Sequence, residues 1–222
     1  SLLASESWES RNIAVKLIGL LQVRDKAPLI VAILNDRRPA PWYKRAVGGD
    51  FEQVGFVRRN ALTTLARLGV VTPGVEAVLL AALWDPYYEV RAEAARTIAI
   101  LDGAMGESAR AQLVTRLTHV LHDRWLEVAA AAAETLGQIG HESDALPVLV
   151  ALQHHRYWLV RSAALRGLRF LVERGRAGDL TELERQIRGY VLTATDFRPE
   201  FTIKTAYARV LEAIATRREQ DS

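Results

Sequence analysis

The fold is decided by the stretch Asp85-Pro86-Tyr87-Tyr88-Glu89-Val90-Arg91-Ala92-Glu93-Ala94-Ala95. The Asp-Pro pair at its start is typical of a turn that leads into a helix, because proline is tolerated in the first helical turn. A β-branched residue, a base and small residues follow, with further apolar residues at helical spacing. The stretch therefore predicts a turn and then an amphipathic helix.

The pattern recurs along the chain, and we call the base of each copy its ladder position. Clear copies have their ladder positions at Arg58, Arg91 and Arg161, and another copy has Ala129 there. Weaker copies mark residues 11 and 204. Spacings of roughly 30 to 50 residues suit a repeat unit of two helices.

A first helix precedes most of these second helices and has its own start signals. Thr72-Pro73 combines an N-cap with a proline in the first turn, and Thr181 and Glu184 have the spacing of a capping box. Hairpin signals and sustained alternation are absent from the sequence, so we expect an all-α chain. Because one helix pair cannot bury its apolar stripe alone, stacked pairs form a solenoid.

Composition limits the possible chemistry. The 222 residues are 50% hydrophobic and contain no cysteine, which excludes disulfides, thiol catalysis and thiolate metal sites. Lys and Arg number 29 against 26 Asp and Glu, a surplus that is small for a nucleic-acid-binding protein.

The sequence also bears on location and extent. No run is apolar enough for a membrane span and no signal peptide opens the chain, so we expect no membrane insertion. We expect a cytoplasmic location, with the periplasm as the alternative. Because the chain starts without methionine, we expect residues 1–222 to be one domain from a longer protein.

The copies resemble HEAT repeats, in the variety also found in phycobilisome lyases. The resemblance rests on the stretch quoted above and on the turns His122-Asp123-Arg124-Trp125-Leu126-Glu127-Val128 and His155-Arg156-Tyr157-Trp158-Leu159-Val160-Arg161. It implies a right-handed α-α superhelix, a HEAT-like α-solenoid, of about five and a half helix pairs. It implies further that ladder arginines and turn aspartates form structural rungs, namely Arg58, Arg91, Arg161, Asp85 and Asp123.

The same resemblance implies that the second helices line a concave face where partners bind. Helical geometry directs the positions one, five and eight after the ladder position away from the core. Several of these positions hold arginine, and we predict them as partner contacts: Arg59, Arg96, Arg166, Arg169 and Arg209. A solvated face, a site for an acidic or phosphorylated protein segment, and a nucleic-acid site are the three interpretations.

One segment, at about residues 35–52, falls outside the repeat pattern. Its prolines and glycines preclude a regular helix, and long insertions in compact repeats are often functional. A recognition loop would use its bases and its aromatic pair, which are Arg37, Arg38, Trp42, Tyr43 and Arg45. The alternative is a loop folded over the N-terminal repeats and anchored by Trp42.

Aromatic residues recur at the turns, for example at Tyr87, Trp125, Tyr157 and Trp158. Stacking on nucleic-acid bases is one possible use of such residues. An aromatic that repeats with the fold is better interpreted as packing between repeats.

Signals for catalysis are weak. His119 and His122 share a helix face, but no third metal ligand is evident in the sequence. His141-Glu142 is a single example of the His-Glu pairs that occur several times in deoxyhypusine hydroxylase, a di-iron enzyme of HEAT-like fold. We therefore expect no metal and no cofactor.

The sequence thus predicts a non-catalytic scaffold that binds a protein or peptide partner, of acidic character, on an arginine-bearing face. Two alternatives stay open. One is a nucleic-acid-binding protein, including an enzyme that resembles the alkylpurine DNA glycosylases. The other is a subunit similar to the phycobilin lyases.

Overall fold

The computed structural model describes residues 2–35, 53–193 and 200–221. In these ranges the regular secondary structure is entirely helical, which confirms the all-α prediction. The α-helices described there are α1 (Trp8–Leu20), α2 (Ala27–Leu34), α3 (Gln53–Leu68), α4 (Pro73–Ala82), α5 (Tyr88–Leu101), α6 (Glu107–Val120), α7 (Leu126–Ile139), α8 (Glu142–Leu152), α9 (Trp158–Glu173), α10 (Leu180–Thr193) and α11 (Glu200–Gln220). Single 3-10 turns occupy Leu2–Ala4, Arg24–Lys26 and Asp102–Ala104. None of these helices is long and apolar enough to cross a membrane.

The chain forms two compact units, residues 1–116 and 117–222. In the first unit, α3 contacts both α1 and α5, while α2 packs on α3 and α4 packs on α5. Its interior consists of aliphatic side chains that are fully buried, including Ile30, Leu62, Leu65, Leu79 and Ile98.

The second unit repeats this arrangement. Helix α9 contacts both α7 and α11, while α8 packs on α7 and α9 and α10 packs on α11. Leu136, Ile139, Leu149 and Leu168 are fully buried there. In both units, the second helices lie side by side and the first helices cover their apolar stripe.

Helix starts follow the local side chains. Thr72 Oγ1 accepts a hydrogen bond from the N–H of Val75 at 3.3 Å, and Pro73 lies in the first turn of α4, which confirms the predicted N-cap.

The predicted capping box at Thr181 is wrong. Asp179 Oδ1 accepts from the N–H groups of Thr181 and Glu182, at 2.8 and 3.2 Å, so the cap comes two residues earlier. A carboxylate is a better acceptor than a hydroxyl for the free N–H groups at a helix start. Its negative charge also interacts favourably with the positive end of the helix dipole.

A buried ion pair joins α3 to the turn before α5. Arg58 Nε and Nη2 donate to the two carboxylate oxygens of Asp85, both at 2.8 Å, and only 5% of Arg58 and 1% of Asp85 are exposed. The same carboxylate accepts from the N–H of Tyr87 at 2.9 Å, and Arg91 Nη1 donates to the carbonyl of Asp85 at 2.7 Å. The turn is therefore held by the preceding helix and by the helix that it starts.

The arginine-to-turn contact recurs at other ladder positions. Arg11 Nη1 donates to the carbonyl groups of Ser5 and Glu6, at 2.7 and 2.9 Å. Arg161 Nη1 makes the same contact with His155, at 2.7 Å, so it too reaches the carbonyl six residues earlier. Each guanidinium donates to backbone carbonyl oxygens just before its own helix, where water would otherwise be the donor.

Small residues let α7 and α9 approach closely. A Cβ atom on Gly137 would lie 2.2 Å from the carbonyl oxygen of Gly167, and one on Gly167 would lie 2.7 Å from the carbonyl oxygen of Ala133. Two backbones at this separation leave no room for a methyl group on either glycine.

We expect Asp85→Asn to lower the free energy of unfolding by about 3–5 kcal/mol, because it leaves the buried Arg58 guanidinium without its counter-charge. Asparagine keeps an oxygen for the N–H of Tyr87, so the loss reports the ion pair. Asp25→Asn is the matched control, because Asp25 pairs with Lys26 at the exposed surface. Urea denaturation measures both variants, and equal effects would contradict a structural role for the buried pair.

We expect Gly137→Ala to destabilise the fold by about 1–3 kcal/mol, because the added methyl group forces α7 and α9 apart. Gly189→Ala is the control, since a Cβ atom there meets nothing within 4 Å and alanine favours the helix. Thermal melting compares the two variants. A Gly137→Ala protein as stable as the Gly189→Ala protein would show that the helices are not in such close contact.

Candidate functional site

The predicted partner contacts lie on the exposed side of the second helices, which we call the second-helix face. In the first unit its charges are paired across helices. Arg59 on α3 forms a short ion pair with Glu89 on α5, and Thr63 Oγ1 donates to Glu93 at 2.6 Å. Arg96, which is exposed, pairs with the same Glu93 at 3.3 Å. This part of the face is therefore close to neutral.

The second unit pairs two of its arginines as well. Arg166 Nε donates to Glu134 on α7, and its Nη1 donates to Ser162 Oγ, both at 2.9 Å. Arg169 Nε lies 3.4 Å from Glu173 on the same helix. Arg209 on α11 is exposed and has no ion pair with any residue that the structure describes.

A groove between α9 and α11 brings these arginines together. It has a volume of about 320 Å³, and its lining residues are Ser162, Leu165, Arg166, Arg169, Thr205, Ala206 and Arg209. A second cavity of about 330 Å³ shares Arg169 and Arg209 and continues past Glu173 and Glu212. The arrangement is an apolar floor flanked by guanidinium groups, which suits a side chain that carries an anion.

Not all of the second-helix face is exposed as expected. The position after the ladder residue is buried in three copies, at Ala92, Ala130 and Ser162. Gly137, eight residues after Ala129, is buried as well. These side chains are small because neighbouring helices pack on them, so the face available to a partner is narrower than helical geometry alone suggests.

The densest run of arginines, between residues 156 and 176, mainly supports the fold. Arg174 Nη1 donates to the carbonyl of Gln138 at 2.5 Å, and Arg176 Nη1 lies 3.4 Å from the carbonyl oxygens of Ile139 and Gly140. These oxygens end α7, where the helix dipole favours a positive charge. A high density of arginine in the sequence is therefore not by itself a binding surface.

The turn aromatics differ between the units. Tyr87 is half-buried, and its ring centroid lies 6.2 Å from that of Phe56 on α3, as the packing interpretation requires. The packing interpretation does not apply to Tyr157 and Trp158, because their side chains are 40% and 45% exposed. The guanidinium of Arg156 lies 4.6 Å from the Tyr157 ring centroid, in cation–π contact.

Lowered pKa values occur on α10, which packs on α11. A hydrogen bond from Arg185 holds the pKa of Glu182 at about 2. Hydrogen bonds from Arg188 and from Arg218 on α11 lower the pKa of Glu184. Both carboxylates therefore stabilise the protein fully above their ordinary pKa of 4.5, and they lose this contribution as the pH falls towards the lowered values.

Some predicted residues cannot be placed. The segment 36–52, which holds the candidates Arg37, Arg38, Trp42, Tyr43 and Arg45, lies outside the described residues. In the ranges that are described, no group of three or more His, Asp or Glu side chains could hold a metal ion.

Sequence reasoning missed the floor of the groove, formed by Leu165, Thr205 and Ala206. The spacing of residues in a sequence describes one helix at a time, whereas the groove forms only where two helices meet. A signal was present in the last copy, where Tyr207 takes the place of the alanine found at this position in the other five copies.

Comparison with solved structures agrees with this architecture. An engineered protein is 20% identical, with a TM-score of 0.61 over 97% of this chain and 94% of its own. A designed armadillo repeat protein in complex with the peptide (KR)4 is 16% identical, with a TM-score of 0.60 over 96% of both chains.

A natural protein is similar as well. It comes from the complex of CpcE and CpcF of phycocyanin lyase from Nostoc sp. PCC7120, with 24% identity and a TM-score of 0.59 over 92% of this chain and 71% of that one. At such identities the likeness shows the fold alone. No curated protein matches the sequence.

Family comparison gives the repeat type. Residues 77–169, from within α4 to within α9, match the family described as HEAT repeats. This segment contains the stretch 85–95 and both related turns. The chain therefore contains HEAT repeats in this segment, and its fold is that of the helical repeat proteins above.

Proposed function

We propose that this protein is a non-catalytic scaffold that binds an acidic segment of a partner protein in the groove between α9 and α11. The observation that carries the proposal is the groove itself, with Arg166, Arg169 and Arg209 around an apolar floor. An extended segment would place apolar atoms on Ala206 and on the methyl group of Thr205, and a carboxylate among the guanidinium groups.

Arg209 contributes most to this recognition. Arg166 is already paired with Glu134, and Arg169 with Glu173, so a ligand would have to compete with those carboxylates. Arg209 has no such competitor among the described residues, and its charge is available without breaking an existing pair. One arginine with an available charge and two shared ones favour a carboxylate-bearing peptide over a densely charged polymer.

Two similar proteins support the partner class. The designed armadillo repeat protein is bound to a peptide, so a helical repeat protein of similar fold can accept a short segment. That peptide is basic, whereas the groove described here has arginine walls and calls for the opposite charge. CpcE and CpcF form a complex of two chains, which fits a role in protein–protein binding.

The proposal extends to the organisation of the chain. Residues 1–222 act as one repeat domain, and the segment 35–52 is an insertion within it. Support comes from the repeat pattern, which continues on both sides of that segment, from residue 11 to residue 204.

We expect Arg209→Glu to weaken binding of an acidic (DE)4 peptide by about tenfold, because a charge-assisted hydrogen bond is replaced by repulsion. Fluorescence anisotropy with labelled (DE)4 measures the affinity, and labelled (KR)4 tests its charge selectivity. Arg67→Glu is the matched control, since Arg67 is exposed on α3 and does not line the groove. Equal affinity of Arg209→Glu and the original protein would remove the groove from the proposal.

Arg166 is a less suitable probe of the groove. Charge reversal there would set a glutamate against Glu134, so stability and binding would both change. The melting temperature of each variant separates the two effects, and Arg209→Glu is expected to melt as the original protein does.

Nucleic acid is the second candidate partner, favoured by the exposed turn aromatics of the second unit. Trp125, Tyr157 and Trp158 are 40%, 40% and 45% exposed, and Arg124 and Arg156 lie beside them in sequence. Exposed rings next to arginine resemble the stacking platforms of single-strand binders. Asp123 and Glu127 in the same turn reduce the local positive charge, which is why we place this candidate second.

We expect single-stranded dT10 to bind more weakly than (DE)4 at physiological salt, and Trp158→Ala to leave peptide affinity unchanged. Anisotropy at about 50 and about 150 mM salt distinguishes phosphate contacts by their salt dependence. Tight dT10 binding at the higher salt, lost in Trp158→Ala, would instead make nucleic acid the partner.

A further inference from the structure

Arg169 and Arg209 line both cavities of the groove, so they lie where the two cavities meet. Arg169 belongs to α9 and Arg209 to α11, and the two guanidinium groups therefore come from different walls. The described residues that line the first cavity also include Arg166 and the hydroxyl groups of Ser162 and Thr205, but no carboxylate. This lining offers positive charge and hydrogen-bond donors, which is the chemistry of an anion site.

The three arginines differ in how firmly their neighbours hold them. Arg166 Nε donates a hydrogen bond to Glu134 at 2.9 Å. Arg169 lies beside Glu173, but its Nε makes no hydrogen bond with that carboxylate or with any other described residue. The Glu173 side chain is 47% exposed, so it can turn into water when another anion takes its place. With Arg209, which is exposed and has no ion pair with a described residue, two positive charges are available to a ligand.

A phosphate monoester matches these two charges better than a carboxylate does. At pH 7 a phosphorylated side chain carries a charge of about −1.5 to −2 and presents three acceptor oxygens, whereas a carboxylate carries a single charge on two oxygens. The planar guanidinium group binds phosphate through two parallel hydrogen bonds. Because a phosphate has more acceptor oxygens, arginines on two walls can each bind it without competing for the same oxygen.

We infer that the anion recognised in the groove is a phosphorylated serine or threonine side chain of the partner segment, held between Arg169 and Arg209. The inference rests on the proposed function and names the chemical group that the acidic segment presents. Ala206 and the methyl group of Thr205 would contact the carbon atoms of the phosphorylated residue. Arg166 stays paired with its glutamate and adds positive charge to the same cavity.

Nucleic acid also presents phosphate groups, but the groove favours a monoester. Each phosphodiester carries a single charge, so it makes use of fewer of the available arginine donors. Among the described residues that line the two cavities, none is aromatic, and bases would therefore find no ring on which to stack. The exposed rings of Tyr157 and Trp158 lie outside this lining. A phosphorylated protein segment is thus the partner that fits the groove.

Three labelled peptides that differ at one residue test the inference: AGA(pS)AGA, AGAEAGA and AGASAGA. By fluorescence anisotropy with the whole chain at about 150 mM salt, we expect the phosphoserine peptide to bind at least about tenfold more tightly than the glutamate peptide. The serine peptide should show no binding. Labelled (DE)4 is measured in parallel as the test of the proposed function. If (DE)4 binds and phosphoserine is no better than glutamate, the inference is wrong and the proposed function stands. If none of these peptides binds, both are wrong.

The pH and a competitor identify the bound group. The affinity for the phosphoserine peptide should fall several-fold from about pH 7 to about pH 5.5, because a phosphate monoester gains a proton near pH 6. The affinity for (DE)4 should stay the same, because carboxylates gain a proton near pH 4. Unlabelled dT10 that displaces the phosphoserine peptide more effectively than the unlabelled phosphoserine peptide does would make nucleic acid the ligand and overturn the inference.

Glutamine variants test the two arginines. Arg169→Gln and Arg209→Gln should each weaken binding of the phosphoserine peptide by about tenfold and of the glutamate peptide by less, because the phosphate loses one of its two cations. Arg67→Gln is the control, since Arg67 is exposed on α3 and lines neither cavity. Thermal melting verifies that each variant is folded, and the exposed Arg209 gives a readout even where Arg169→Gln destabilises the protein. An Arg209→Gln protein with the original affinity for the phosphoserine peptide would overturn the inference.

Discussion

Close packing between successive second helices is the constraint on which the other features of both units depend. One helix pair exposes apolar surface that only the next pair can cover, so the spacing of neighbouring helices determines whether the core is dry. At Gly137 and Gly167, the approach of α7 and α9 leaves no room even for a methyl group. Alanine at the position three after the ladder residue is fully buried in successive copies, at Ala94, Ala132 and Ala164.

The ladder arginines make this packing repeatable. The second helix must start at an equivalent position in every repeat. The irregular turn before it would leave backbone carbonyl groups without hydrogen-bond donors. Arg11, Arg91 and Arg161 fill that need with one geometry, a contact to the carbonyl six residues earlier. Arg58 differs because it reaches forward to the Asp85 carboxylate and so ties two repeats together. The Asp85 carboxylate offsets the cost of removing water from this charge, because it accepts from Nε and Nη2 together.

Sequence reasoning recovers what depends on a single helix and misses what depends on two. The repeat, its ladder positions and the cap at Thr72 are visible because helical spacing and capping chemistry act within a few residues. The ion pairs Arg59–Glu89 and Arg166–Glu134 join residues that are 30 and 32 positions apart. A pattern within a few residues therefore cannot predict them. For this reason, a row that looks basic in the sequence is nearly neutral in the first unit. The cap at Asp179 was missed although its signal is local, because the Thr-x-x-Glu pattern that follows it looked sufficient.

The groove occurs where the repeat pattern is broken. Five copies place alanine three residues after the ladder position, and the last places Tyr207, which is 3% exposed. A buried phenol ring occupies much more volume than a methyl group, so the packing around α11 differs from that around the other second helices. The groove lies beside Leu165 and Ala206, and Arg209, two residues after the tyrosine, lines it. In a repeat protein a regular copy serves packing, so an irregular copy is the place to look for a partner site.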